Sequence, residues 1–298
     1  MSAHPSQIAA TNEPVRLPVT LPRLHEKKAL GEPIVMVTAY DFPSARAAEM
    51  AGVDMVLVGD SGAMTVLGYP STVPVPLEEM LMLAAAVRRG LRTPLLVGDL
   101  PFGSYEVSDE QAITTAVRFV KETGCDAVKL EGGGETSVAR ARAIANAGIP
   151  VMGHVGLTPQ TATALGGYKA QGRSAEAAAR VAREALALQE AGCFSIVFEA
   201  IPAAVSEEVM PRMQIPVIGI GAGPATDGQV LVFHDLLGIR EGIGARFVKR
   251  YANLLDEMTA GVAAFADDVR QRRYPAPEHG YSIPDDELAG LRSALQDT

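Results

Sequence analysis

The chain has 298 residues, 48% of them hydrophobic, and a formal net charge of -9, enough to bury one large α/β core or two ordinary ones. An acidic balance without a basic run argues against a nucleic-acid partner, and apolar runs broken at strand length leave no membrane-spanning segment. Cys125 and Cys193 lie in apolar runs and read as buried thiols of a reduced compartment, the cytoplasm, rather than as a disulfide or a metal site.

Residues 1–22 read as a polar, Pro-containing tail without an apolar signal core. "PIVMVTAYD" (Pro33 to Asp41) is the first strand. "AGVDMVLVGDS" then sets a pattern: Gly52 after a helical stretch, a continuous apolar run, and a polar finish. The Gly suits a helix C-terminus and the run suits a strand buried on both faces. The amphipathic helix "LEEMLMLAAAVRRG" leads to a third strand, "TPLLVGDLPF". "SDEQAITTAVRFVKETG" carries a helix start at Ser108, followed by Asp109 and Glu110. The Gly-led pattern returns in "TGCDAVKLEGG", "AGIPVMGHVG" and "AGCFSIVFEA", at Gly124, Gly148 and Gly192. Between the last two lie the Gly-flanked loop "GGYKAQGR" and the helix "SAEAAARVAREALALQEAG", which starts at Ser174 with Glu176 in its first turn. "IPVIGIGAG" and "GQVLVFHD" bring the strands to about eight, mostly separated by helices, which is what a (β/α)₈ barrel needs. A doubly wound open sheet is the runner-up, but a Gly-rich dinucleotide turn is missing after the first strand. The expected division is a tail over 1–22, a catalytic barrel over 23–267 and a C-terminal tail over 268–298 that packs on the barrel or on a neighbouring subunit.

Barrel active sites form at the C-terminal ends of the strands. Asp41, Asp60, Ser61, Asp99, Lys129, Glu131, His154 and Glu199 fall at or just past those ends and should meet in one mouth. Asp60 and Asp99 each follow "VG" on neighbouring strands, where they would repel one another unless a hard divalent cation relieved them. Against this stands the plain role of helix or loop cap for either Asp. Lys129 and Glu131 are two apart, hence on one side of their strand, and suit an anionic substrate or a mutual ion pair. Glu199, with apolar neighbours on both sides, should have a raised pKa, as a base for carbon-bound protons requires. His154 alone is more easily structural than functional, and "GIGAG" is only a weak phosphate signal. Together these residues point to a metal-assisted enzyme acting on a small oxyanion, best a 2-oxo acid, with bond formation or cleavage beside its carbonyl.

"TAYDFPSARAAEMAGVDMVLVGDS", "LLVGDLPF", "AVKLEGG", "GHVGLTPQ", "GGYKAQGR" and "IPVIGIGAGPATDGQVLVFHDLLGI" resemble, in that order, the ketopantoate hydroxymethyltransferase family, over roughly Pro33 to Tyr281. The resemblance implies a (β/α)₈ barrel of the phosphoenolpyruvate/pyruvate type, a cytoplasmic homo-oligomer (usually a decamer), and hydroxymethyl transfer from 5,10-methylenetetrahydrofolate to 3-methyl-2-oxobutanoate, the first step of pantothenate biosynthesis. It implies Asp60 and Asp99 as Mg²⁺ ligands with Glu131 completing the metal environment, directly or through water, one ion per subunit. It implies Asp60, Ser61, Asp99 and Lys129 around the oxo acid and Glu199 as the catalytic base. The family's usual "GDSLGM…QGHDST" reads "GDSGAMTVLGYPST" here, so Tyr69 and Pro70 stand in place of His and Asp. Another metal-dependent oxo-acid lyase or mutase on the same barrel is the competing enzyme reading, and a noncatalytic metal-binding barrel the third.

Overall fold

A computed structural model describes residues 16–296, apart from 165 and 243; residues 1–15 of the expected N-terminal tail lie outside them. The strands are β1 (Ile34–Thr38), β2 (Met55–Val58), β3 (Leu95–Asp99), β4 (Ala127–Lys129), β5 (Val151–Gly156), β6 (Ser195–Glu199), β7 (Val217–Ile220) and β8 (Gly228–Leu231). They close into a parallel barrel in sequence order, β8 pairing back to β1 with Ile34 opposite Gly228. The helices are α1 (Leu21–Leu30), α2 (Phe42–Ala51), α3 (Gly62–Thr65), α4 (Leu77–Gly90), α5 (Asp109–Arg118), α6 (Glu135–Asn146), α7 (Ala175–Glu190), α8 (Ala203–Val209), α9 (Phe233–Leu237), α10 (Leu254–Arg270) and α11 (Asp285–Gln296). No helix intervenes between Ile220 and Gly228, so β7 returns to β8 through a loop.

Local chemistry sets these boundaries. Ser108 and Ser174 cap α5 and α7 by accepting from the backbone N–H three residues on. Gly52, Gly124, Gly148 and Gly192 all adopt the left-handed conformation expected of residues that end a helix. Two apolar layers follow from the alternation of side chains along the strands. The inner one fills the barrel with Met36, Met55, Leu57, Leu95, Val97, Met152 and Ile218, and Leu24 of α1 joins it. The outer one packs Val56, Leu96, Val128 and Ile196 against residues of the surrounding helices, such as Leu83, Ala116 and Leu188.

Gly98 shows why "VGD" has its glycine. A Cβ there would lie 2.4 Å from the ring of Phe119, which opens a π-helical turn (Phe119–Thr123) at the end of α5. The wide turn seats a fully buried Phe119 against β3, and only a residue without a side chain admits it. Residues Leu237–Glu241 and those from Arg250 onward form a second compact unit, with α10 and α11 as its helices. Among the described residues no helix is long and apolar enough to cross a membrane.

Candidate active site

Strand alternation carries the barrel's inner row to its rim. Leu95 and Val97 are followed on the same side by Asp99, Ala127 by Lys129 and then Glu131, Met152 by His154, and Val197 by Glu199. The register sets Asp99 opposite Lys129. It sets Gly156 opposite Glu199 and His154 opposite Val197, so His154 and Glu199 are diagonal neighbours. Asp60 joins from the turn after β2, and its backbone N–H donates to Asp99 Oδ2 at 3.1 Å. Asp60, Asp99, Lys129, Glu131 and His154 are each at most 4% exposed.

Lys129 Nζ lies 2.8 Å from Asp99 Oδ1 and 3.8 Å from Glu131 Oε1. His154 bridges two carboxylates, with Nδ1 3.4 Å from Glu131 Oε1 and Nε2 3.3 Å from Glu199 Oε2. Asp99 Oδ1 and His154 Nε2 sit at ion-pair distance without hydrogen-bond alignment. The apolar setting expected for Glu199 is therefore replaced by a polar one: its side chain is 16% exposed and faces an imidazole. The apolar neighbours in sequence point elsewhere, Phe198 into the outer layer, while Ala200 turns the chain at φ 49°.

The electrostatics are those of a crowded anionic cluster. Burial, then the negative charges of Asp99 and Glu131, push the Asp60 carboxyl well above the usual carboxylate range. Burial raises Asp99 too, against the pull of Lys129. For Lys129 the burial penalty is outweighed by Asp99 and Glu131, and the ammonium is held more firmly than usual. Burial and Lys129 press His154 down, yet its close contacts with the Glu131 and Glu199 carboxylates win and bring it up to about 9. Burial opposes ionisation of Glu131, but His154 and Lys129 leave it below its ordinary value.

Four carboxyl groups thus crowd one lysine and one histidine, a surplus of acidic groups over basic ones. An oxygen-preferring dication suits that surplus and the unaligned oxygen of Asp99. Among the described residues no group of three or more His, Cys, Asp or Glu is arranged to hold a metal. The donors therefore fit a cation held by one or two carboxylates, with water and substrate oxygens filling the other positions, and not an all-protein cage.

Other expected residues fall as follows. Ser61 lies at the mouth with Oγ 2.9 Å from the hydroxyl of buried Tyr40. Asp41 does not join the cluster: it caps α2, accepting from Ser44 N–H at 2.8 Å within a capping box. The "GIGAG" glycines give close packing, since a Cβ at Gly221 would strike Phe247 and one at Gly223 would strike Ala203. Tyr69 keeps a hydrogen bond, to Glu79 Oε1 at 3.2 Å. In the "GGYKAQGR" loop, Gln171 N–H donates to Ala200 O at 2.9 Å, and the Tyr168 phenol is raised by partial burial and by the charges of Asp60, Glu131 and Glu199. Sequence reasoning misses Gln160 and Tyr105, both buried among the cluster; the only signal for Gln160 is its place in "GHVGLTPQ".

Residues 18–277 match the sequence profile of the family described as Ketopantoate hydroxymethyltransferase. The chain belongs to that family. Its relatives include the 3-methyl-2-oxobutanoate hydroxymethyltransferase of Moorella thermoacetica, 52% identical over 263 residues, covering 88% of this chain and 97% of that protein. The Arabidopsis thaliana protein named 3-methyl-2-oxobutanoate hydroxymethyltransferase 1, mitochondrial, is 49% identical over 284 residues, covering 93% of this chain and 82% of its own length. Among solved structures, a phosphonopyruvate hydrolase in complex with oxalate and Mg²⁺ superposes with a TM-score of 0.57 at 14% identity, covering 93% of this chain and 95% of that one. A 2,3-dimethylmalate lyase of the PEP mutase/isocitrate lyase superfamily gives 0.53 at 17% identity, covering 93% and 96%. Those two likenesses show that this ketopantoate hydroxymethyltransferase-family chain shares its barrel fold with both enzymes.

Proposed function

We propose that this chain transfers a hydroxymethyl group from 5,10-methylenetetrahydrofolate to 3-methyl-2-oxobutanoate, forming 2-dehydropantoate in the first step of pantothenate biosynthesis. The observation that carries this reading is near-full-length identity of about half to relatives of that name. The rim chemistry supports it. Glu199 removes the proton from C3 of the oxo acid, and His154, at 3.3 Å, holds that carboxylate in place. Lys129 and the Ser61 hydroxyl steady the oxo acid's oxygens. Asp60 and Asp99 would hold a divalent cation, Mg²⁺ by family resemblance, with Glu131 outside it and acting through water. When bound, the cation supplies Lewis acidity toward the keto oxygen. The enolate carbon attacks the folate-borne methylene as its bond to one folate nitrogen breaks, and that nitrogen takes the proton that Glu199 removed. Water then gives its hydroxyl to the methylene as the bond to the second nitrogen breaks, and water's remaining proton goes to that nitrogen.

The competing lyase or mutase reading needs no folate. Incubation with both substrates and Mg²⁺, followed by mass spectrometry, should give 2-dehydropantoate, and omission of either substrate should abolish it. Cleavage or rearrangement of an oxo acid without folate would favour the competitor, and metal binding without any carbon-acid chemistry would favour the noncatalytic barrel. The reading also makes the protein a cytoplasmic homo-oligomer, consistent with two buried free thiols. A decamer of 31.3 kDa chains is the size to test by light scattering.

A further inference from the structure

Gln160 lies just past β5, is 4% exposed, and touches three other segments of the barrel rim. Its Nε2 donates to Asp60 Oδ2 at 3.0 Å and to Leu100 O at 2.9 Å. Its Oε1 accepts from the Tyr105 hydroxyl at 2.6 Å, and its backbone N–H donates to Glu131 Oε2 at 3.0 Å. Tyr105, 3% exposed, accepts in turn from the Glu131 backbone N–H at 3.3 Å. The direction of every bond follows. The backbone oxygen of Leu100 can only accept, so Nε2 must face it and the amide cannot flip; the phenol's one proton then goes to Oε1, and both Nε2 hydrogens are spent on Asp60 and Leu100.

We propose that Gln160, locked by Tyr105, is a positioning residue that fixes which oxygens of Asp60 and Glu131 are turned toward a divalent cation. The inference rests on the metal-assisted reading given above. Tying down Asp60 Oδ2 leaves Oδ1 without a protein donor among the described residues and available to the ion. The backbone N–H occupies Glu131 Oε2 and leaves Oε1 on the side of Lys129 and His154. Partners of this kind set the orientation of carboxylate ligands, and their loss typically weakens metal affinity 10- to 100-fold. A neutral amide is suited to the task because it donates to one carboxylate without adding charge to an already anionic cluster.

The test is Mn²⁺ binding followed by loss of the free-ion electron paramagnetic resonance signal, on the full chain without substrate. Gln160→Met keeps the volume and removes the side-chain hydrogen bonds; it should weaken Mn²⁺ at least 10-fold. Tyr105→Phe should weaken it several-fold alone but less than 2-fold in the Gln160→Met background, because it acts through the same amide. A purely structural role would lower the melting temperature and leave the Mn²⁺ affinity of the folded protein unchanged. Wild-type affinity in Gln160→Met, or fully additive losses in the double variant, overturns the proposal. If Gln160→Met does not fold, Gln160→Leu replaces it, with the same expected loss of at least 10-fold and the same overturning result. Failure of the wild type itself to bind Mn²⁺ overturns the metal reading, and this inference with it.

Discussion

Replacing Lys129 by methionine removes the ammonium from the cluster and little else, since the four-atom stem is retained. Its Nζ is 2.8 Å from Asp99 Oδ1, and both side chains are almost wholly buried. Breaking a buried pair from one side leaves an uncompensated charge, a loss of about 3–5 kcal/mol. At about 2 °C per kcal/mol, the lower end for large domains, the metal-free melting temperature should fall by roughly 6–10 °C at pH 7.5. The pH dependence follows in sign. In the wild type the Lys129 pKa is raised, so the stability it contributes is complete below the ordinary lysine value of 10.5 and is lost as pH rises through the folded value. In the variant the cost is that of ionised Asp99, whose folded pKa is raised already in the wild type. That cost fades as the pH falls and the carboxyl takes up a proton. Differential scanning calorimetry in a chelator should therefore show a gap between the two proteins that narrows from pH 7.5 to pH 5. A gap under about 2 °C, or one that does not change with pH, would refute the assignment of Lys129 as the cluster's structural counter-charge.

Asp60→Asn should raise the metal-free melting temperature at pH 8, because a buried carboxylate crowded by Asp99 and Glu131 costs stability that a neutral amide does not, and it should abolish the thermal shift expected of the wild type on adding Mg²⁺. The sign follows from the raised pKa: the cost of Asp60 sets in as pH rises through its unfolded value of 3.8 and is complete above its raised folded pKa, so the gain should shrink as pH falls and vanish below the unfolded value. Gly156→Ala should lose activity and stability together, since Gly156 has a φ of +98° and its Cβ would lie 2.2 Å from the backbone oxygen of Glu199. The clash displaces the base, so kcat should fall more than KM rises.

Much of the fold is legible in the sequence because each strand is buried on both faces and reads as an unbroken apolar run between a left-handed glycine and a polar finish. The rim is legible for the same reason: a charge that ends such a run has nowhere to go but the mouth, as with Asp99, Lys129 and Glu199. Asp41 shows the limit. A strand-end carboxylate and a helix-capping one occupy the same place in sequence, and only the distance to Ser44 N–H separates them. The surroundings of Glu199 depend on the register of β6 against β5, which no local pattern encodes, so the facing imidazole of His154 is invisible beforehand. Gln160 and Tyr105 are harder still, because a neutral residue in a loop has no periodicity and no charge to mark it. The seating of Phe119 against Gly98 arises from a π turn that helical spacing does not foresee.

The most direct test of the account is proton exchange at C3 of 3-methyl-2-oxobutanoate in D₂O, followed by NMR with Mg²⁺ present and folate absent. The wild type should wash out the C3 proton, and Glu199→Gln, folded and still binding metal, should slow that exchange at least about 100-fold, as loss of a general base does. Exchange at the wild-type rate in Glu199→Gln would contradict the assignment of Glu199 as the base and the mechanism built on it.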